Sequence, residues 1–300
     1  MDHVGNDLVC ILVTGAAGYL GGHVLANLKE KRIPCVATSR NGSAGVACDL
    51  ADIGAVRILL DRITPSVIIH CAAVVPKSTS AYDDAQAAEA SVAMVKIIAE
   101  SAACPVVFAS SMTVYAGVKD FPVHEDDVQP LVTGYAHGKW LAEQVLFARN
   151  FPGDVALRLP GLFGLPRRSG LLYNAAKSFL DHGKFEPTVS PDIWAALAVQ
   201  DAAEYLVMAA MAPHSYPPQA VSIGYEGEFS VPAAVAEIAA CCRLSWEPLP
   251  VCVQPFSMCL ERLKARYGIL TVTFRQRIEE LVEIVQHDLQ AERVEGLNAH

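Results

Sequence analysis

The chain has 300 residues, 52% of them hydrophobic, with a formal net charge of -9, enough apolar material for one large α/β unit or one and a half domains. Disorder is thereby excluded as a general description. A negative balance without any block of Lys or Arg argues against nucleic acid or an anionic membrane as principal partner and leaves a small-molecule substrate. The nine cysteines are odd in number, show no C-x-x-C spacing and mostly lie in apolar, strand-like runs, so they read as reduced, buried small hydrophobes of a cytoplasmic protein. Asp2 and Asp7 precede a short apolar run with no basic segment before it, which predicts no cleavable secretion signal. No apolar stretch reaches bilayer-spanning length.

The run Leu8 to Val13 leads into Thr14-Gly15-Ala16-Ala17-Gly18-Tyr19-Leu20-Gly21 and then an amphipathic helix through Val24, Leu25 and Leu28. Strand, glycines and helix in that order read as a dinucleotide site. Gly15 suits the turn, Gly18 a close approach to pyrophosphate and Gly21 a helix seated tightly on its strand, with the phosphates facing the free N–H groups of the helix.

The first strand is expected over Val9 to Thr14, with the helix running to about Glu30. A strand Cys35 to Ser39, a helix Ile53 to Arg62 and a strand Val67 to His70 follow. Next come an Ala-rich helix from about Asp84 to Ala102, a strand Pro105 to Ala109, a helix Thr133 to Ala148 and a strand Val155 to Leu159. This alternation predicts an α/β fold, a Rossmann-type doubly wound parallel sheet over residues 1–159. The rhythm breaks at Pro160, Gly161, Gly164 and Pro166. Residues 160–300 are expected to form a smaller substrate-binding region of loops and short helices. The sheet returns there within about 190–225 as one clear strand, Ala220 to Ile223. Ser230 is expected to cap a helix to Cys242, and Phe274 to Leu289 to form another.

Five further residues, in three places, carry chemistry. Ser39 stands at the end of the second strand, where an NAD site normally places an acid for the ribose 2'-hydroxyl, and Arg40 follows it; NADP(H) is therefore expected in preference to NAD(H). Tyr135 and Lys139 are four apart and share a helix face, and an ammonium beside a phenol favours its phenolate. Ser111 ends a strand whose carboxyl end faces the ligand crevice, where a hydroxyl can hold a carbonyl oxygen beside the phenol.

With Asp49-Leu50, the segment Val67 to Ala73 and the segment Arg158 to Gly164, these motifs resemble the extended short-chain dehydrogenase/reductase superfamily. The resemblance is to its NAD-dependent epimerase/dehydratase branch, over about residues 8 to 205. It implies that Ser111 orients the substrate oxygen, that Tyr135 is the general acid/base, and that Lys139 binds the nicotinamide ribose and lowers the tyrosine pKa. Gly15, Gly18 and Gly21 would line the pyrophosphate, with Ala17, Tyr19 and Leu20 also binding the cofactor, Ser39 and Arg40 at the ribose, Asp49 and Leu50 at the adenine, and Cys71, Ala72 and Ala73 at the nicotinamide half. Lys77, Ser111, Met112, Thr113, Tyr135, Gly161, Arg168 and Trp194 would face the substrate.

Dehydratases of the family carry an Asp-Glu pair after the hydroxyl. Met112 and Thr113 stand there instead, which argues against dehydration. Gly161 replaces a substrate-binding Asn and Trp194 an Arg that grips the substrate pyrophosphate, so a nucleotide-diphosphate sugar is in doubt unless Arg167 and Arg168 replace the charge.

The leading expectation is an NAD(P)-dependent oxidoreductase moving a hydride at a carbonyl or carbinol carbon of a sugar-like or other polyfunctional metabolite. The alternatives are a nucleotide-sugar 4-epimerase with tightly bound cofactor and a non-catalytic dinucleotide-sensing regulator. The Ala-rich helix and the Tyr135 helix resemble those that build a homodimer interface in this family. His70 reads as a structural histidine. The run His124 to Asp127 lacks further ligands at set spacing, so no metal is expected.

Overall fold

The computed structural model describes residues 10–75, 82–129, 134–187, 193–247 and 254–298. Strand β1 (Ile11–Thr14) leads to helix α1 (Tyr19–Glu30), β2 (Cys35–Ser39), the short β3 (Val46–Ala47), α2 (Ile53–Ile63) and β4 (Val67–His70). Then come α3 (Ala85–Ser101), β5 (Val106–Ser111), a 3-10 turn (Met112–Tyr115), α4 (Gly134–Ala148), β6 (Val155–Leu159) and β7 (Gly161–Phe163). The chain continues through α5 (Leu171–His182), β8 (Ala196–Ala198), α6 (Val199–Met211), β9 (Gln219–Ser222), α7 (Val231–Cys241), α8 (Glu261–Arg266) and α9 (Phe274–Asn298).

Seven strands pair in parallel in the order β3-β2-β1-β4-β5-β6-β9. The chain enters near the middle and winds outward in both directions, so the order reverses between β1 and β4, where a crevice opens at the carboxyl ends of the strands. Alternating side chains leave the sheet on opposite faces. Ile11, Val13, Val67, Ile69 and Val107 join Val24 and Leu28 of α1 and Leu206 of α6. Leu12, Ile68, Val106 and Phe108 join Val56 of α2, Val95 of α3 and Leu146 of α4. Burial on both faces is why these strands read as continuous apolar runs.

The chain after Leu159 is more regular than its sequence rhythm suggests, and the expectation of loops with one clear strand is corrected. β7 and β8 form a separate parallel pair, but at three residues each they carry no usable period. Helix α6 buries residues around most of its circumference, Asp201, Ala202, Tyr205 and Leu206 among them, and an all-round buried helix has no apolar stripe to detect. A further core of Phe163, Phe179, Val235, Ile238, Ile278 and Val285 binds β7, α5, α7 and α9 together. Ser230 caps α7 by accepting from the Ala233 N–H at 3.2 Å.

The cysteines are also corrected. Cys48 and Cys104 are buried, while Cys10, Cys35, Cys71, Cys241, Cys242 and Cys259 are only partly so. Several sit at element ends, Cys35 at the start of β2 and Cys241 at the end of α7. Among the described residues no helix is long and apolar enough to cross a membrane, and no group of His, Cys, Asp and Glu can hold a metal ion.

Candidate active site

The turn after β1 is shaped by three glycines with three different constraints. Gly15 has φ +67°, and a Cβ there would lie 2.6 Å from the Ala72 nitrogen, so only glycine lets this turn pass behind the end of β4. A Cβ on Gly21 would lie 2.3 Å from the Gly15 oxygen, which fixes how closely α1 sits on its own strand. Around Gly18 only the Gly15 oxygen is near, at 3.1 Å. Gly18 is the N-cap of α1 and supplies no side-chain cap, so the first N–H groups of the helix are left for an outside acceptor. This open cradle at a helix N-terminus fits a dinucleotide pyrophosphate.

Ala17 and Gly18 are exposed and Tyr19 and Leu20 half-buried at the mouth of this turn. The Ala16 N–H donates to the Thr38 carbonyl at 3.1 Å, joining the turn to the end of β2. Ser39 is buried there, its hydroxyl accepting from the Ala44 N–H at 3.2 Å, and Arg40 is exposed beside it. Asp49 heads a turn, accepting from the Ala51 N–H at 3.0 Å. Leu50 is packed into the core with Val56 and Leu59. Cys71 continues from β4, its N–H donating to the Thr14 carbonyl at 3.2 Å, and burial pushes its thiol up to about 12. Ala72 and Ala73 follow, half-buried.

The end of β5 brings the second group of residues to the same edge. Ser111 accepts from the Thr113 N–H at 3.2 Å and from the Thr113 hydroxyl at 3.0 Å, so its own hydrogen is free to be given elsewhere. Met112 is buried and Thr113 half-buried. Tyr135, in the first turn of α4, has the Ser111 hydroxyl beside its phenol and meets the Tyr82 ring edge-on at 5.5 Å. Burial raises its phenol pKa, with Tyr82 adding to the rise and Ser111 opposing it.

Lys139, one turn along α4, is buried. Its ammonium donates to the Ala109 carbonyl at 2.6 Å and lies 4.7 Å from the Phe108 ring centroid and 5.7 Å from that of Tyr135. Burial brings its pKa down to about 8, with Cys71 and Glu143 working against that fall. Its ammonium is thus seated on a strand carbonyl, and the Tyr135 phenol is governed by burial.

His70 closes the floor: its Nδ1 pairs with the Thr14 hydroxyl at 2.8 Å, and burial, reinforced by Lys139, brings it down to about 3. It is therefore a neutral ring in the folded protein.

The residues expected to face the substrate are more scattered. Gly161 opens β7 and donates from its N–H to the Ala195 carbonyl at 3.0 Å. Trp194 is half-buried and packs against both the sheet core and the α5–α7–α9 core. Arg168 is tied to α9 through Asp288 at 2.7 Å, which also accepts from the Tyr173 hydroxyl. Lys77 lies outside the described residues.

Two features were not singled out in the sequence. Arg167 lies 4.2 Å from the Tyr19 ring centroid, the Tyr19 hydroxyl donates to the Gly164 carbonyl at 2.6 Å, and His23 pairs with the Leu165 carbonyl at 2.7 Å. The loop after β7 is thereby held over α1, closing a cleft of about 560 Å³ whose walls include Ala17, Gly18, Gly22, His23, Pro166 and Arg167. The four-residue spacing of Tyr19 and His23 was the available signal. The second feature is a buried polar network under the catalytic candidates. Glu143 accepts from the Ser110 hydroxyl at 2.5 Å and from Arg158 at 2.7 and 3.0 Å. Glu143 continues the Tyr135–Lys139 face by one more turn, which the same spacing would have shown.

A model of the NAD dependent epimerase/dehydratase family matches residues 11–224. Methionine adenosyltransferase 2 subunit beta of Danio rerio is 31% identical over 161 residues, 51% of this chain and 48% of that protein. The dTDP-4-keto-6-deoxy-D-glucose reductase of Streptomyces niveus is 29% identical over 161 residues, 51% of this chain and 52% of that protein. The match thus spans about half the length of these curated relatives. Among solved structures, MoeE5 in complex with UDP-glucose and NAD superposes with a TM-score of 0.72 at 21% identity, covering 93% of this chain and 99% of that one.

Proposed function

Because the chain belongs to the NAD dependent epimerase/dehydratase family, we propose that it is an NAD(P)-dependent oxidoreductase acting on a carbonyl or carbinol carbon of a sugar-like or other polyfunctional metabolite. The observation that carries this reading is the Ser111 hydroxyl beside the Tyr135 phenol, with buried Lys139 one helical turn away, at the strand edge shared with the glycine turn. A nicotinamide dinucleotide, when bound, supplies or accepts the hydride. Gly15, Ala17, Gly18, Tyr19 and Leu20 hold its pyrophosphate, and Asp49, Leu50, Cys71, Ala72 and Ala73 border its two ends. Ser39 and Arg40 favour a 2'-phosphate, so NADP(H) is preferred over NAD(H).

In the reductive direction Tyr135 gives its phenolic proton to the substrate oxygen, and in the oxidative direction it takes that proton back. Ser111, whose oxygen already accepts from Thr113, donates to the same substrate oxygen and holds it beside the phenol. Burial keeps Tyr135 protonated at neutral pH, the form that reduction needs. Lys139, with a pKa of about 8, still carries its charge at pH 7 and holds the nicotinamide ribose. Met112 and Thr113 offer neither an acid nor a base, so water is not eliminated. Gly161 and Trp194 shape the substrate space with no charge, while Arg168 serves the fold through Asp288.

The relative whose name makes it a subunit of methionine adenosyltransferase 2 favours a second reading, a dinucleotide-binding subunit without turnover. Purified protein separates the readings. NADPH consumption with keto sugars or other ketones, lost in Tyr135→Phe, supports the oxidoreductase. Sugar interconversion with no added cofactor makes it an epimerase. Dinucleotide binding with a biological output unchanged in Tyr135→Phe makes it the non-catalytic subunit.

A homodimer is proposed as well, through α3 and α4. These pack so closely that a Cβ on Gly138 would lie 2.8 Å from the Ala88 Cβ. Light scattering tests the dimer.

A further inference from the structure

The strands of the main sheet are parallel, so all their amino ends lie at the edge opposite the glycine turn. At that edge is a cavity of about 320 Å³ bordered by Gly153 ahead of β6, by His214, Ser215 and Tyr216 ahead of β9, and by Arg266 and Tyr267 at the end of α8. The five residues of β6, at about 3.3 Å each, separate it from the Ser111–Tyr135 pair.

Helix α8 carries three basic side chains beyond its cap: Arg262, Lys264 and Arg266. Arg262 pairs with Asp126 at 2.7 Å and Lys264 with Glu226 at 2.9 Å. Arg266 is treated differently. Its guanidinium carbon lies 3.8 Å from the Tyr216 ring centroid, it stands beside the Tyr267 phenol, and its Nη2 is buried with no hydrogen-bond partner among the described residues. A guanidinium stacked on a ring keeps its full charge and its fork of donors. A buried N–H with no acceptor costs free energy that an oxyanion ligand recovers.

The walls are set rather than loose. Gly153, at φ +86°, has no room for a side chain, because a Cβ there would lie 2.4 Å from the Cβ of His214. Its N–H donates to the Tyr216 carbonyl at 2.8 Å, and His214 pairs through Nε2 with the Ala210 carbonyl at 3.2 Å.

We propose that this cavity binds the phosphate or carboxylate group of a small metabolite, with Arg266 as its charge and the Ser215 and Tyr267 hydroxyls as further donors. The volume, at the small end of ligand sites, suits a metabolite rather than a polymer.

Isothermal titration of the full chain with inorganic phosphate and, separately, with sodium acetate, at ionic strength held constant with sodium chloride, tests the site. The two arms distinguish a phosphate-bearing from a carboxylate-bearing ligand. Saturable binding of one or both is expected, weakened at least tenfold in Arg266→Gln and less in Arg266→Lys. Phosphate held at the glycine turn would be untouched by Arg266→Gln, so equal affinity in wild type and Arg266→Gln overturns the proposal. So does the absence of saturable binding of either anion. Should Arg266→Gln fail to fold, Tyr267→Phe decides: a severalfold weaker affinity supports the site and an unchanged one overturns it.

Discussion

The Glu143→Gln substitution probes the link between core and chemistry. Glu143 is fully buried and Arg158 is 3% exposed. The carboxylate accepts two guanidinium hydrogen bonds, at 2.7 and 3.0 Å, and one from Ser110 at 2.5 Å. Glutamine keeps the shape but sets an amide donor against a guanidinium donor. Arg158 is then left with the Tyr115 hydroxyl at 3.1 Å and the Glu125 carbonyl at 2.6 Å.

Removing one charge of a buried pair costs about 3–5 kcal/mol. With an unfolding entropy of about 2.1 cal/mol/K per residue, a chain of this length loses about 5–8 °C of melting temperature, readable by calorimetry. The double variant Glu143→Leu, Arg158→Met removes both charges and is expected to lose less than the single one. Glu143 also helps Lys139 keep its proton, so Glu143→Gln moves the lysine's deprotonation below about 8 and the alkaline limb of the rate profile moves down with it. A melting temperature within about 1 °C of wild type, or an unmoved alkaline limb, refutes the reasoning.

Three other outcomes follow from the same geometry. Gly21→Ala drives a methyl to 2.3 Å from the Gly15 oxygen and is expected to weaken dinucleotide affinity at least tenfold, measured by fluorescence titration; unchanged affinity would contradict the tight seating of α1. Arg40→Ala is expected to weaken NADPH about tenfold while leaving NADH nearly unchanged, and equal effects on the two would remove the basis for NADP(H) preference. The folded pKa of Lys139, about 8, lies below its ordinary 10.5, so between those pH values the unfolded chain holds more protons and stability rises with pH. Across that window the melting temperature of wild type, taken relative to that of Lys139→Met at each pH, should rise.

The sequence by itself determined the strand–glycine–helix opening, the alternation up to Leu159 and the spacing of Tyr135 and Lys139. Each of these is a local pattern: φ freedom at Gly15, continuous apolar strand runs and a four-residue helix spacing. It also placed Ser230 as the cap of α7, because capping is a contact over three residues. Only the tertiary structure decided matters that depend on partners distant in the chain. Lys139 rests on the carbonyl of Ala109, 30 residues away, and Arg168 is committed to Asp288, 120 residues away. Helix α6 packs against the main sheet from beyond the point where the rhythm breaks, whereas the return of β9 was legible in the run Ala220 to Ile223. No local period reports such contacts, because they arise when parallel strands bring the ends of separate segments to one edge. The glycine turn was legible because its constraint is steric and local. What the lysine and the arginines do was not, because a long charged side chain takes its role from whichever acceptor the fold brings within reach.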